Sequence, residues 1–308
     1  MVIDCHAHLA HHSSATWEAD DRRLIEAADK LGIDQLCCST LTPTFWATAE
    51  GFRECNEWTA QAMERFPGRV LGCCYVNPGF SREALEEIRR CVGGRGFVGI
   101  KLYNQYVCSE PVVWPIVELA IELGVPILQH AGHSHYPNKE QPRLSDAGHV
   151  AELSRRYPEA MLICAHVCGG GDWEWTIKAL RSAPGAFLDT SGSVTDEGTL
   201  EMAASVLGVD RLVFGCDMSM TAGVGKIRAA RLGEREKRKI LGGNLEGILR
   251  RGTRGGGRGA TEGTRGEGRG STTTRQPSTL APPAPPLLPP SNLAPPASGL
   301  LRRRRRPC

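Results

Sequence analysis

The sequence predicts a (β/α)8 barrel followed by a low-complexity tail, and three observations predict it. Short apolar runs alternate with segments of helical spacing for about 250 residues, which implies right-handed crossovers and a parallel sheet. Eight such runs fall in that length, the number that closes a barrel. No glycine-rich dinucleotide fingerprint follows the first run, which argues against an open doubly wound sheet.

The first strand is the opening run Met1-Val2-Ile3-Asp4-Cys5-His6-Ala7-His8. In 16–31, Leu24, Ile25, Ala28 and Leu31 recur at helical spacing, and Gly32 closes the helix. A strand over 33–39 leads to a helix over 45–66 that stops at Pro67-Gly68, then to a strand over 70–76 and a turn at Pro78-Gly79. Ser81, followed by acidic residues, opens a helix to 92. Strand 97–103, helix 111–123, strand 125–131 and helix 145–157 with Ser145 as its N-cap come next. Strands 161–167, 186–190 and 211–216 complete the eight, with helices over 172–181 and 195–207.

Composition separates the tail from the body. Of 37 basic and 34 acidic residues, eleven arginines and two glutamates lie from residue 251 onward, leaving 26 basic and 32 acidic before it. The 1–250 body is therefore acidic and lacks the basic footprint of a nucleic-acid binder. The 251–308 segment, rich in Gly and Arg and then in Pro, cannot build a core and is predicted to be disordered. Three readings stand for it: a solvated tail, a non-native extension from read-through or a frame error, or an arginine patch for nucleic acid or acidic membrane. Several of the 12 cysteines sit inside apolar runs and read as buried thiols rather than disulfides. With no signal core and no apolar run of about 18 residues, the expectation is a soluble cytoplasmic protein.

The chemistry lies at strand ends. Side chains two apart on a strand share a face, so His6 and His8 can reach one ion, and neutral imidazole is the commonest metal ligand. By itself the pair is also what a solvated histidine cluster or a tag fragment would present. The later strands, however, end in Lys101, His130, His166 and Asp217, the positions that face the active end of a barrel. A lone histidine such as His166 is more often a hydrogen-bonded core residue. The recurrence at equivalent places argues for a site.

These segments resemble the amidohydrolase superfamily, in the branch that includes aminocarboxymuconate semialdehyde decarboxylase. The resemblance rests on Ile3-Asp4-Cys5-His6-Ala7-His8, Gly99-Ile100-Lys101-Leu102, Pro126-Ile127-Leu128-Gln129-His130, Ile163-Cys164-Ala165-His166 with Gly169-Gly170, Leu188-Asp189-Thr190-Ser191-Gly192, and Phe214-Gly215-Cys216-Asp217. Gly242-Gly243-Asn244 is similar to the family's closing helix. The resemblance implies one divalent ion, Zn2+ before Mn2+, held by His6, His8, His130 and Asp217. His166 beside it would act as acid/base or carbonyl-polarising group, and Asp217 would also accept a proton. In two-ion members a carboxylated lysine on strand four bridges the metals; the one-ion branch, favoured here, leaves Lys101 as an ion-pair or substrate-carboxylate contact.

The resemblance further implies a hydrolase that uses a metal-activated water on an amide, lactone or ester carbonyl of a small molecule, because bound metal lowers the pKa of water from 15.7 to about 7. A non-oxidative decarboxylase of a small unsaturated or aromatic acid is the alternative, and a non-catalytic ligand-binding barrel a second one. Relatives are often homodimers, and the compact barrel suggests an open site or one completed by a neighbouring subunit. Tyr103, His133, His135 and Arg143 follow strands four and five and are weaker candidates for substrate contact; Arg143 suits a bidentate carboxylate. Trp173 and Trp175 either wall the pocket or pack a helix start, and Asp4 either holds the floor or orients a ligand.

Overall fold

A computed structural model describes residues 1–255 other than 45, 134–138, 140, 168–171 and 193, with side chains as far as 251. Of the predicted 251–308 tail, residues 251–255 continue the last helix instead of opening a disordered segment, and the remainder lies outside the described residues, as do the expected helix start at Phe45, the Gly169-Gly170 pair and His135.

The eight expected strands form as β1 (Ile3–His8), β2 (Gln35–Ser39), β3 (Val70–Tyr75), β4 (Gly99–Leu102), β5 (Ile127–Gln129), β6 (Leu162–Cys164), β7 (Ala186–Asp189) and β8 (Leu212–Val213). They pair in sequence order, every pair parallel. Two bonds carry the ladder across the seam between first and last strand: Cys5 N donates to Phe214 O and Asp217 N to His6 O, each at 2.8 Å. The sheet is therefore a (β/α)8 barrel.

Alternation along the strands divides the core into two. Cys37, Cys73, Leu128, Ile163 and Val213 pack together inside the barrel, floored by Leu245 and Ile248. Their neighbours Cys38, Cys74, Ile127, Leu162 and Leu212 face outward onto the helices. All ten cysteines among the described residues are buried and free. No helix of the described residues is long and apolar enough to cross a membrane.

The helices are α1 (Trp17–Leu31), α2 (Ala49–Arg65), α3 (Ser81–Ile88), α4 (Trp114–Leu123), α5 (Ala147–Arg156), α6 (Trp173–Leu180) and α7 (Thr199–Leu207), then α8 (Met220–Ala229), α9 (Glu234–Arg238) and α10 (Asn244–Gly255). Gly32 and Gly124 end α1 and α4 in the left-handed region, at φ 73° and 67°, which glycine adopts without strain. Helix α2 starts later than expected because Thr48 accepts from Gly51 N and sets its N-cap. Helix α3 gives way after Ile88 to a π-helical turn, Arg89–Gly94.

One cap differs from expectation. Asp146, not Ser145, caps α5, in a reciprocal box with His149. Ser145 Oγ instead accepts from Cys108 N at 3.0 Å, tying the loop after β4 to the loop after β5.

Candidate metal centre

The centre begins with an irregularity in β1. Its pairing with β2 shifts register between Asp4 and Ala7. Cys5 packs with the interior residues Cys37, Cys73 and Val213, yet the next residue, His6, reaches Lys101 on β4 and Asp189 on β7. Neither strand neighbours β1, so both contacts cross the interior. A register shift of this kind lets two consecutive side chains enter the barrel and aims His6 at its mouth.

There the donor atoms of His6, His8 and Asp217 lie within 4.8 Å of one another. Asp217 Oδ1 is 3.6 Å from His6 Nε2 and 3.4 Å from His8 Nε2. The remote nitrogen of each ring is engaged elsewhere: His6 Nδ1 with Asp189 Oδ2 at 2.8 Å, and His8 Nδ1 with the Ser39 carbonyl at 3.1 Å. Both partners are acceptors, so Nδ1 carries the proton and Nε2 presents a lone pair toward Asp217. Burial, reinforced by the Lys101 charge, drives the His6 pKa down to about 3. Burial lowers His8 as well. Burial pushes Asp217 up, but the adjoining His166, His8 and His6 rings outweigh it and hold the carboxyl well below the usual range. Two neutral imidazoles and a carboxylate with converging lone pairs fit a divalent cation.

His166 stands beside this trio. Its Nδ1 lies 2.7 Å from the Ala131 carbonyl, which makes that nitrogen a donor. The buried Nε2 is without a hydrogen-bond partner, although it lies 3.0 Å from Asp217 Oδ2. His166 and Asp217 both adopt left-handed backbone, φ 66° and 45°, and Met218 follows at 68°. Such conformations cost of order 1–3 kcal/mol each and persist only where surroundings impose them. Here His166 N is held by Asp189 Oδ1 at 2.8 Å, and Asp217 N by the His6 carbonyl.

Lys101 is fully buried, its Nζ 2.8 Å from His6 Nε2, and burial lowers its pKa to about 8. His130 is not in the trio of converging donors. Its ring lies 4.2 Å from that of Tyr103 and 4.7 Å from that of His166, and burial first, then the nearby His166, holds its pKa well below the imidazole value. Tyr103 thus sits against the centre, 6.0 Å from Lys101 Nζ. Arg143 lies farther out, its guanidinium 4.8 Å over the Tyr106 ring. His133 stacks on Trp175 at 3.7 Å, with Nδ1 3.5 Å from Asp146 Oδ2, and Trp173 Nε1 donates to Asp196. Asp4 Oδ1 accepts from His6 N and Cys216 N, joining β1 to the segment after β8, and burial raises this carboxyl to about 7.

Sequence reasoning assigned no role to Asp189, Ser191 or Ser39. Asp189 is fully buried, and its carboxylate takes four bonds, from His6 Nδ1, His166 N, Ser191 N and Ser191 Oγ, the last at 2.6 Å. Burial raises its pKa, but the His6 bond and charge prevail and hold it at about 2. The signal was present: Asp189 is the polar residue ending strand seven, as Lys101 ends strand four.

Known proteins share this architecture. An amidohydrolase family model matches residues 3–250. The 2-amino-3-carboxymuconate-6-semialdehyde decarboxylase of Dictyostelium discoideum is 23% identical over 279 residues, 75% of this chain and 76% of its own. The crystal structure of 2,6-dihydroxybenzoate decarboxylase from Rhizobium has a TM-score of 0.63 at 19% identity, over 81% of this chain and 98% of that one. A dihydroxybenzoic acid decarboxylase from Polaromonas, with bound manganese and the inhibitor 2-nitroresorcinol, has a TM-score of 0.62 at 19% identity, over 81% and 96%. With its ordered strand-end residues and a family match over nearly all of the barrel, the chain belongs to the amidohydrolase superfamily of enzymes.

Proposed function

We propose that this protein is a divalent-metal-dependent, non-oxidative decarboxylase of a small unsaturated or aromatic acid. The observation that carries the proposal is the convergence of His6 Nε2, His8 Nε2 and Asp217 within 4.8 Å, beside a histidine whose free nitrogen faces the same carboxylate. The sequence reading put hydrolysis first. The decarboxylases among its relatives support the reverse order, and the manganese in one of them supports Mn2+ alongside Zn2+.

His6, His8 and Asp217 would hold the ion, with His130 next to His166 as the further candidate. When bound, such an ion supplies positive charge that fixes an acid and stabilises negative charge developing on it. The chain's own residues supply the rest. Decarboxylation breaks a carbon–carbon bond, releases carbon dioxide and leaves an electron pair on carbon that must take a proton. His166 donates Nδ1–H to Ala131, so only Nε2 can exchange a proton, and Asp217 Oδ2 is 3.0 Å away to receive or return it. The Tyr103 ring beside His130 offers a flat face suited to a planar acid. Lys101 counters a substrate carboxylate in the single-ion reading.

We assign this chemistry to residues 1–250 and regard 251–308 as a separate segment, a division supported by the family match ending at 250. Ten buried free thiols support a reducing, cytoplasmic setting. The test is a panel of aromatic and unsaturated acids, lactones and amides offered to manganese- and zinc-loaded protein. Carbon dioxide release, lost in His166→Ala and Asp217→Asn, is the expected result. Hydrolysis of a lactone or amide with no carbon dioxide from any acid would restore the hydrolase reading.

A further inference from the structure

Two paths lead outward from the centre side by side, along the loop after β4 and the loop after β5. On the first, Tyr103 touches His130 and Tyr106 follows three residues later. On the second, Ala131 receives the His166 bond and is bridged to Ser145, two residues past Arg143. The Cys108 N to Ser145 Oγ bond pins the loops together. Tyr106 and Arg143 each precede a pinned residue by two, which sets the Arg143 guanidinium over the Tyr106 ring at 4.8 Å. Trp46, from the loop after β2, brings its ring to 5.8 Å from that of Tyr106 and is 43% exposed, an unusual state for a large hydrophobic residue here.

Two unmet polar groups mark this wall. Arg143 is half-buried, yet among the described residues it has no carboxylate partner. Asn104, beside Tyr103, is 6% exposed, and neither its Nδ2 nor its Oδ1 is hydrogen-bonded. Buried polar groups are ordinarily satisfied, and a planar guanidinium stacked on an aromatic face is pre-organised for a carboxylate. Among the described residues no carboxylate competes with an incoming anion for Arg143.

We infer that Arg143, with Tyr106 and Trp46, forms an outer anion subsite that selects planar acids carrying a second carboxylate, one end held at the metal centre and the other on the guanidinium. This rests on the centre described above being the reaction site. The stacked rings favour a flat molecule, and the bidentate fork favours a carboxylate over a hydroxyl. Arg143 is thus a specificity residue.

The experiment is calorimetric titration of the full-length, manganese-loaded protein with benzoate, isophthalate and terephthalate at one ionic strength. Wild type should bind one of the two dicarboxylates at least tenfold more tightly than benzoate. Arg143→Gln should bring that acid to the benzoate level while changing benzoate by less than twofold, and Arg143→Lys should fall between, because it keeps the charge and loses the fork. Equal affinity of wild type for all three acids, absence of binding included, would overturn the inference, as would equal losses for benzoate and dicarboxylate in Arg143→Gln. A repeat without manganese separates the two readings: a dicarboxylate preference that survives in a protein binding no metal keeps the subsite and removes the decarboxylase.

Discussion

Replacing Asp189 by Asn is the substitution that tests the centre most directly, because one buried carboxylate serves both sides of it. Its Oδ2 fixes the His6 tautomer, and its Oδ1 holds His166 N in the left-handed conformation. Asparagine keeps one acceptor but turns an amide N–H toward His6 Nδ1 or leaves that proton without its charged partner. The imidazole proton then favours Nε2, the nitrogen that faces Asp217. Loss of such a partner weakens metal binding about 10–100-fold, or about 1.4–2.7 kcal/mol. The same carboxylate also contributes to folding. Its pKa, 3.8 ordinarily, is held at about 2, so it adds roughly 2 kcal/mol of stability that is complete above its unfolded value and is lost as pH falls from about 4 toward 2. Manganese titration against a chelating indicator, together with thermal melts from pH 2 to 7, measures both. Ser191→Ala, which removes the 2.6 Å bond to Asp189 and a 3.4 Å contact with His6 Nδ1 but keeps the carboxylate, should change metal affinity by less than about threefold. A folded Asp189→Asn protein that binds manganese within twofold of wild type would refute the argument that Asp189 sets the His6 tautomer.

Three further substitutions probe the surroundings. Lys101→Met removes an ammonium whose pKa burial lowers from 10.5 to about 8. The unfolded chain holds that proton up to higher pH, so burying the charge costs stability at neutral pH and the cost fades between about pH 8 and 10.5. The variant should therefore be more stable at pH 7 by about 1–3 kcal/mol, with the gain shrinking over that window in denaturant titrations, and it should retain one manganese per chain; a second ion lost with Lys101 would point to the two-metal arrangement. Gly242→Ala would place a Cβ 2.2 Å from the Met1 carbonyl oxygen, whereas the nearest atom at Gly243 is 3.7 Å away. The former should lower stability by about 1–3 kcal/mol and the latter by less than 1, read by thermal melting.

Much of the centre was legible because a parallel barrel maps strand ends to one face. His6, His8, Lys101, His130, His166 and Asp217 each end or follow an apolar run, and the fold gathers such positions whatever lies between them. Boundaries were less legible. The strand read as 211–216 is Leu212–Val213, because its pairing with β7 ends at Val213 and the segment beyond keeps, of the ladder, only the two seam bonds to β1 on its way into the strained turn at Asp217 and Met218. The first residue of α5 was missed by one because Ser and Asp are comparable caps, and only the neighbouring loop decided that Ser145 should serve Cys108 instead.

Sequence by itself determined the architecture and named most of the candidate residues, though not Asp189. Periodicity distinguishes strand from helix, and the order of polar strand ends is a one-dimensional fact. Tertiary structure alone decided how those groups face one another. The register shift after Asp4 turns His6 into the barrel behind Cys5, and Asp189, 183 residues away, chooses which His6 nitrogen carries the proton. Contacts across the barrel interior join strands that are not neighbours in the sheet, so no local pattern encodes them; they exist only once the sheet has closed.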